Sequence, residues 1–194
     1  MKFSTANNIL LGLIVLINGY IIIAPLAPKV DFWWENRGGH KQQQLTQKIH
    51  AGAKTPSKPQ ANQVIIPTMA LDEQVYEGPI SQQYATLDKG IWRWPNGSTP
   101  DKGGNTVLIG HRFTYTTPRG VLYFLDKVKL GDEIGLIWGN KTYHYTVSTI
   151  KTVPPTDTSI ENPSDDARVT IFTCTPLWLP KDRLVVIATR TMHD

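Results

Sequence analysis

From Val64 onward the chain is cut into short runs by Gly, Pro and Asn, and this punctuation leaves little room for long helices. The runs are VII at 64–66, TVLIG at 106–110, EIGLIW at 133–138, TYHYTVSTI at 142–150, VTIFTC at 169–174 and RLVVIAT at 183–189. Each has the length of a strand and is either apolar throughout or alternating. Gly139-Asn140 between two of them predicts a tight hairpin. In the strand that follows, Tyr143, Tyr145 and Val147 share one face, with His144 and Thr146 on the other. Only PRGVLYFLDKV, 118–128, suits a helical turn or two, and no internal repeat is present. Several runs are apolar on both faces, which favours a closed or nearly closed barrel over an open sheet. The expected fold class is all-β.

A different kind of sequence precedes this domain. ILLGLIVLINGYIIIAPLAP, residues 9–28, has no charged residue and is long enough to cross a hydrocarbon core of about 30 Å as a helix. A cleaved signal would need a small-x-small site, and APLAP offers only prolines around its alanines. The expectation is an uncleaved transmembrane anchor after a short N-terminus, residues 1–8, with Trp33 and Trp34 at the interface. Residues 29–63, rich in Gln, Lys, Gly and Pro, read as a flexible basic linker with some helix around Leu45 to Ile49. Residues 1–63 carry a net charge of +5 and residues 64–194 a net of −1. The basic balance therefore belongs to the linker, and the folded part gives no electrostatic reason for nucleic-acid binding. Lys29, Arg37, Lys41 and Lys48 would by the positive-inside rule place the C-terminal side in the cytoplasm.

Cys174 is the only cysteine, so neither an intrachain disulfide nor a CxxC zinc site is available. A free Cys is more often a small core residue than a reactive thiol. Here it ends a strand, and an eight-residue connection with Pro176 and Pro180 separates it from the next strand, which begins at Arg183. If the two strands pair as a hairpin, Arg183 comes close to the thiol, where a guanidinium favours the thiolate or an oxyanion. A cysteine nucleophile also needs a proton carrier. His40 and His50 lie in the linker, His193 is beside the C-terminus, and His144 is mid-strand. His111 ends the strand NTVLIG at a strand-to-loop junction, which makes it the candidate.

NTVLIGHR, TIFTCTP and the following DRLVV, behind an N-terminal anchor, resemble the sortase family of bacterial cysteine transpeptidases over roughly residues 64–190. LDKGIWRWP and FLDKVKLGDEI also sit where sortases have similar segments. The resemblance implies a sortase-type eight-stranded β-barrel with short helices, with 64–194 as the catalytic domain. Cys174 would be the nucleophile, in a TIFTC motif where Ile171 replaces the usual Leu. His111 would be the general acid and base, Arg183 would hold the substrate or the oxyanion, and Thr173 would help position the substrate. It implies cleavage between Thr and Gly of an LPxTG-like signal near the C-terminus of a secreted protein. A thioester forms and passes to an amine acceptor such as a peptidoglycan precursor. LAxTG remains open beside LPxTG. The domain would then be extracytoplasmic on a single-pass membrane protein, against the charge bias.

The chain runs out soon after Arg190 without a second apolar stretch, which fits a housekeeping-like enzyme better than a pilin-polymerising one. Asp31-Phe32-Trp33 has the look of a pilin-type lid motif, but its place beside the anchor suits interfacial residues better. No cofactor and no metal are expected. The acidic loop Thr152–Asp166 falls where some sortases hold Ca²⁺, yet acidic loops are mostly just solvated. The Ser-x-Gly-Cys motif of L,D-transpeptidases is absent. The remaining alternative is a catalytically silent, membrane-tethered β-barrel binding module.

Overall fold

A computed structural model describes residues 2–24, 26–51, 61–114, 119–177 and 179–191, so His193 and linker residues 52–60 lie outside the described residues. Eight strands close into a barrel: β1 (Gln63–Ile66), β2 (Leu71–Tyr76), β3 (Ile91–Arg93), β4 (Asn105–Ile109), β5 (Glu133–Trp138), β6 (Lys141–Val153), β7 (Arg168–Thr175) and β8 (Asp182–Arg190). Around the barrel the order is β1-β2-β3-β4-β7-β8-β6-β5. The β2–β3 and β4–β7 pairs are parallel, and all other neighbours are antiparallel.

The expected all-β barrel is present, with two strands beyond the six runs. The β5–β6 hairpin turns at Gly139 and Asn140, both with positive φ, the conformation that a two-residue hairpin loop of this twist requires. Tyr143, Tyr145 and Val147 of β6 face the interior and are buried, whereas His144 and Thr146 face outward. Ile134, Leu136, Val169, Ile171, Val186 and Ala188 join them in the interior, as period-two alternation requires. The segment after the histidine strand forms turns and a 3-10 turn at Leu125–Lys127 in place of regular helix. It buries Leu122, Tyr123, Phe124 and Leu125 against the same core.

Ahead of the barrel, α1 spans Lys2–Ile23. Its Ser4–Ile23 portion is long and apolar enough to cross a membrane, and none of it is buried against the rest of the protein. The next segment differs from a solvated tether. It forms α2 (Ala27–Glu35) and α3 (His40–His50). In α2, Phe32 is buried against Phe124 at 4.2 Å between ring centroids, while Trp33 and Trp34 stay exposed. In α3, Leu45 and Ile49, one turn apart on one face, pack on Ile65 and Ile137 of the outer barrel wall. Gly135 makes the seat: a Cβ there would come within 2.7 Å of Ile49 Cγ1.

Burial has a pH consequence at Tyr145, whose phenol is pushed up to about 12 by desolvation. The unfolded chain loses this proton near the ordinary value of about 10 and the folded one does not. Stability is therefore full below about pH 10 and falls as pH rises toward 12, by about 2–3 kcal/mol from this group. Urea unfolding between pH 9 and 11.5 should show a falling midpoint, and Tyr145→Phe should flatten that fall.

Candidate active site

Parallel β4 and β7 keep one register throughout, Asn105 opposite Arg168, Thr106 opposite Val169, and so on to Ile109 opposite Phe172. Side-chain contacts carry the same register past the end of β4. Thr173 Oγ1 donates to the Gly110 carbonyl at 2.7 Å, and Arg112 Nη1 donates to Thr175 Oγ1 at 2.8 Å. Between these two pairs the register sets His111 beside Cys174. On the other side of β7, Cys174 pairs with Arg183 of β8. The three expected residues thus form one row, with His111 just past the end of β4, Cys174 on β7 and Arg183 on β8.

The row lies on the outer face of the barrel. Ile109, Phe172 and Val185 form the adjacent row on that face, and each catalytic candidate is two residues from one of them. With Val107, Val153 and Ile160 they make an apolar strip separate from the barrel core. The loop between β6 and β7 covers it, pinned by Asn105, whose Nδ2 donates to the carbonyls of Ile160 (3.1 Å) and Asn162 (2.9 Å). Thr170 Oγ1 in turn donates to Asn105 Oδ1 at 2.7 Å. At the end of this strip the Cys174 thiol is free and exposed.

Charged groups surround the row. His111 Nε2 lies 3.5 Å from Asp88 Oδ1, and its carbonyl accepts from the Leu122 N–H at 2.9 Å. A cavity of about 450 Å³ opens beside it, lined among others by Asp88, Gly90, Thr114, Arg119 and Val121. Arg183 bonds Glu161 Oε1 at 3.2 Å, and its guanidinium lies 5.0 Å over the Phe172 ring. Arg112, only 7% exposed, is held by Asp126 at 2.8 Å and by Thr175. Such an arrangement offers an accessible thiol, an imidazole beside it and a guanidinium across from it. These are the elements of nucleophilic acyl transfer.

A sortase-domain family model matches residues 64–191, the whole barrel and the full row. The chain belongs to the sortase family. It is 29% identical over 138 residues to sortase A of Staphylococcus aureus, covering 66% of this chain and 64% of that one. To sortase A of Listeria monocytogenes it is 28% identical, over 67% of this chain and 56% of that one. The match therefore spans less than two thirds of the length of either sortase A. Among solved structures, sortase C1 of GBS pilus island 1 superposes with a TM-score of 0.60 at 28% identity, covering 69% of this chain and 66% of that chain.

Within this sortase fold, Thr173 is a buried residue of β7. Its side chain is buried and spent on the Gly110 carbonyl, so it fixes the spacing of the strands that carry His111 and Cys174. Asp88, Arg112 and Glu161 were not singled out from the sequence. Arg112 adjoins His111 in the GHR segment, a local signal. Asp88 and Glu161 reach the row only through the fold. Acidic residues of the loop at Thr152–Asp166 are likewise engaged: Asp157 accepts from Ser159, Glu161 meets Arg183, and Asp166 meets Arg168. Hydrogen bonding from Ser159 and from Arg168 holds the Asp157 and Asp166 carboxyls below their ordinary range.

Thr173→Val removes a buried donor and leaves the Gly110 carbonyl without it, so unfolding free energy should drop by about 1–3 kcal/mol. Chemical denaturation monitored by tryptophan fluorescence checks this; an unchanged midpoint would remove Thr173 from the frame.

Proposed function

We propose that this chain is a membrane-anchored cysteine transpeptidase acting on a C-terminal LPxTG-like sorting signal. The observation that carries the reading is the row His111–Cys174–Arg183, three chemically complementary residues brought together on adjacent strands at an exposed edge.

In the reaction, the Cys174 thiolate attacks the carbonyl of the signal's Thr and the C–N bond to Gly breaks. Arg183 donates hydrogen bonds to the tetrahedral oxyanion or to the neighbouring substrate carbonyl, turning part of its guanidinium from Glu161. His111 gives its proton to the departing Gly amine, leaving a thioester on Cys174. An incoming amine attacks that thioester, His111 takes the proton that the amine loses, and an amide forms as the Cys174 thiolate is released. No cofactor enters this sequence of steps. Asp88 orients the imidazole from the far side, and Thr173 acts as a positioning residue.

α1 serves as the anchor, with the barrel outside the cytoplasmic membrane where secreted substrates and cell-wall amines are found. A housekeeping role, with a peptidoglycan precursor as acceptor, is favoured over pilin polymerisation. Phe32 of the Asp31-Phe32-Trp33 stretch is occupied with Phe124, and Cys174 remains uncovered among the described residues.

The test uses the full chain in detergent micelles, a peptide library spanning LPxTG and LAxTG, and an added amine. Intact mass should reveal an acyl adduct on Cys174 and a transpeptidated product, both absent in Cys174→Ala. His111→Ala should lower kcat/KM by about 10²–10⁴-fold, and Arg183→Ala by about 10²–10³-fold. A folded chain that binds signal peptides without ever forming a thioester would replace the enzyme reading with that of a tethered binding module.

A further inference from the structure

On the wall of the barrel formed by β5 and β6, His50 of α3, Glu133 of β5 and His144 of β6 meet. We propose that these three residues bind a divalent transition-metal ion of the zinc class, which clips α3 to the barrel.

The trio is assembled by packing that does not depend on the ion. Gly135 pairs with His144 across β5 and β6, and Glu133 lies two residues from Gly135 on the same outward face. Ile49, fully buried, sits where a side chain at Gly135 would be. His50, the next residue of α3, is thereby set beside Glu133 and His144. His50 Nε2 lies 3.1 Å from Glu133 Oε2, and His144 Nδ1 lies 3.1 Å from Glu133 Oε1. The two imidazole centroids are 5.8 Å apart, and one ligand atom from each residue falls within 4.8 Å of the other two.

These separations suit a small cation. Zinc bonds to His nitrogen at about 2.0–2.1 Å in a tetrahedral shell, which places ligand atoms about 3.3 Å apart. Two imidazoles and one carboxylate are the donor types that zinc and its neighbours prefer, whereas Ca²⁺ and Mg²⁺ prefer oxygen alone. The His50 side chain is 53% exposed, so the fourth position opens to water. A competing arrangement is a hydrogen-bonded chain in which each ring donates a proton to Glu133. The ion differs from it in displacing those ring protons on binding.

Because the ligands come from α3 and from two strands of the barrel, occupancy ties that helix to the barrel. The ion adds a polar clip to the apolar seat of Leu45 and Ile49 and holds α3 on the wall. This site is separate from the Cys174 row, which lies on β7, β8 and the segment just after β4.

The test uses the full, tag-free chain in detergent micelles with Cys174→Ala, so that the thiol cannot act as a ligand. Co²⁺ titration is followed by the strong visible absorption of four-coordinate cobalt, and Zn²⁺ binding by competition and calorimetry. One Co²⁺ per chain should bind and be displaced by Zn²⁺. Zn²⁺ affinity should fall by at least about 10-fold in each of His50→Ala, Glu133→Gln and His144→Ala. Zn²⁺ should also raise the thermal midpoint of the parent and leave that of His50→Ala unmoved; this substitution lies at an exposed position and keeps the fold. Absence of the cobalt absorption, or zinc binding of equal strength in the parent and the three variants, would overturn the proposal.

Discussion

The register of β4 on β7 is the constraint on which the site depends. Polar side chains lock it at both ends: Asn105 with Thr170 at one, Gly110 with Thr173 and Arg112 with Thr175 at the other. A slip by one residue would turn the apolar strip and the outward row inward, turn core residues such as Ile171 outward, and break all three links, each of which satisfies a buried or half-buried polar group. Parallel pairing alone carries no such specificity, since its backbone hydrogen bonds are evenly spaced and alike at every step. The side-chain links make the register unique and so make His111 and Cys174 neighbours.

From that row the surroundings follow in order. Arg183 enters through the antiparallel β7–β8 pairing and Glu161 through the loop that Asn105 pins. The loop is held at Ile160–Asn162, by Asn105 through two carbonyls and by Arg183 through Glu161, so one short stretch of it is fixed beside the row. Under the proposed function, a substrate carbonyl that drew Arg183 toward it would compete with Glu161, coupling substrate binding to the loop. The buried Arg112 lies behind the row, linking β7 to Asp126 and stiffening the turn that returns from His111.

Strands with continuous apolar or alternating runs, such as EIGLIW and VTIFTC, were legible because their burial is written in consecutive residues. β2 was not: in LDEQVY only Leu71 and Val75 face the core, and the three residues between them are exposed. β3 has only three residues. The chemical trio was legible by residue type and by position at strand ends. Its assembly was not, because nothing local says that β4 pairs with β7 in parallel. The docking of α3 was hidden for a similar reason. Its apolar face is only Leu45 and Ile49 in a Gln- and Lys-rich helix, and the seat it needs is a glycine on a distant strand.

Replacing His111 by cysteine tests the register most directly. Neighbouring strands lie about 4.8 Å apart, within the Cα separation of about 4.4–6.8 Å that a disulfide spans. Mild oxidation of dilute His111→Cys protein in detergent, read by intact mass with and without reductant, should give an intramolecular bond between the introduced thiol and Cys174. Two thiols that stay free, or that link only between molecules, would contradict the adjacency on which the proposed chemistry rests.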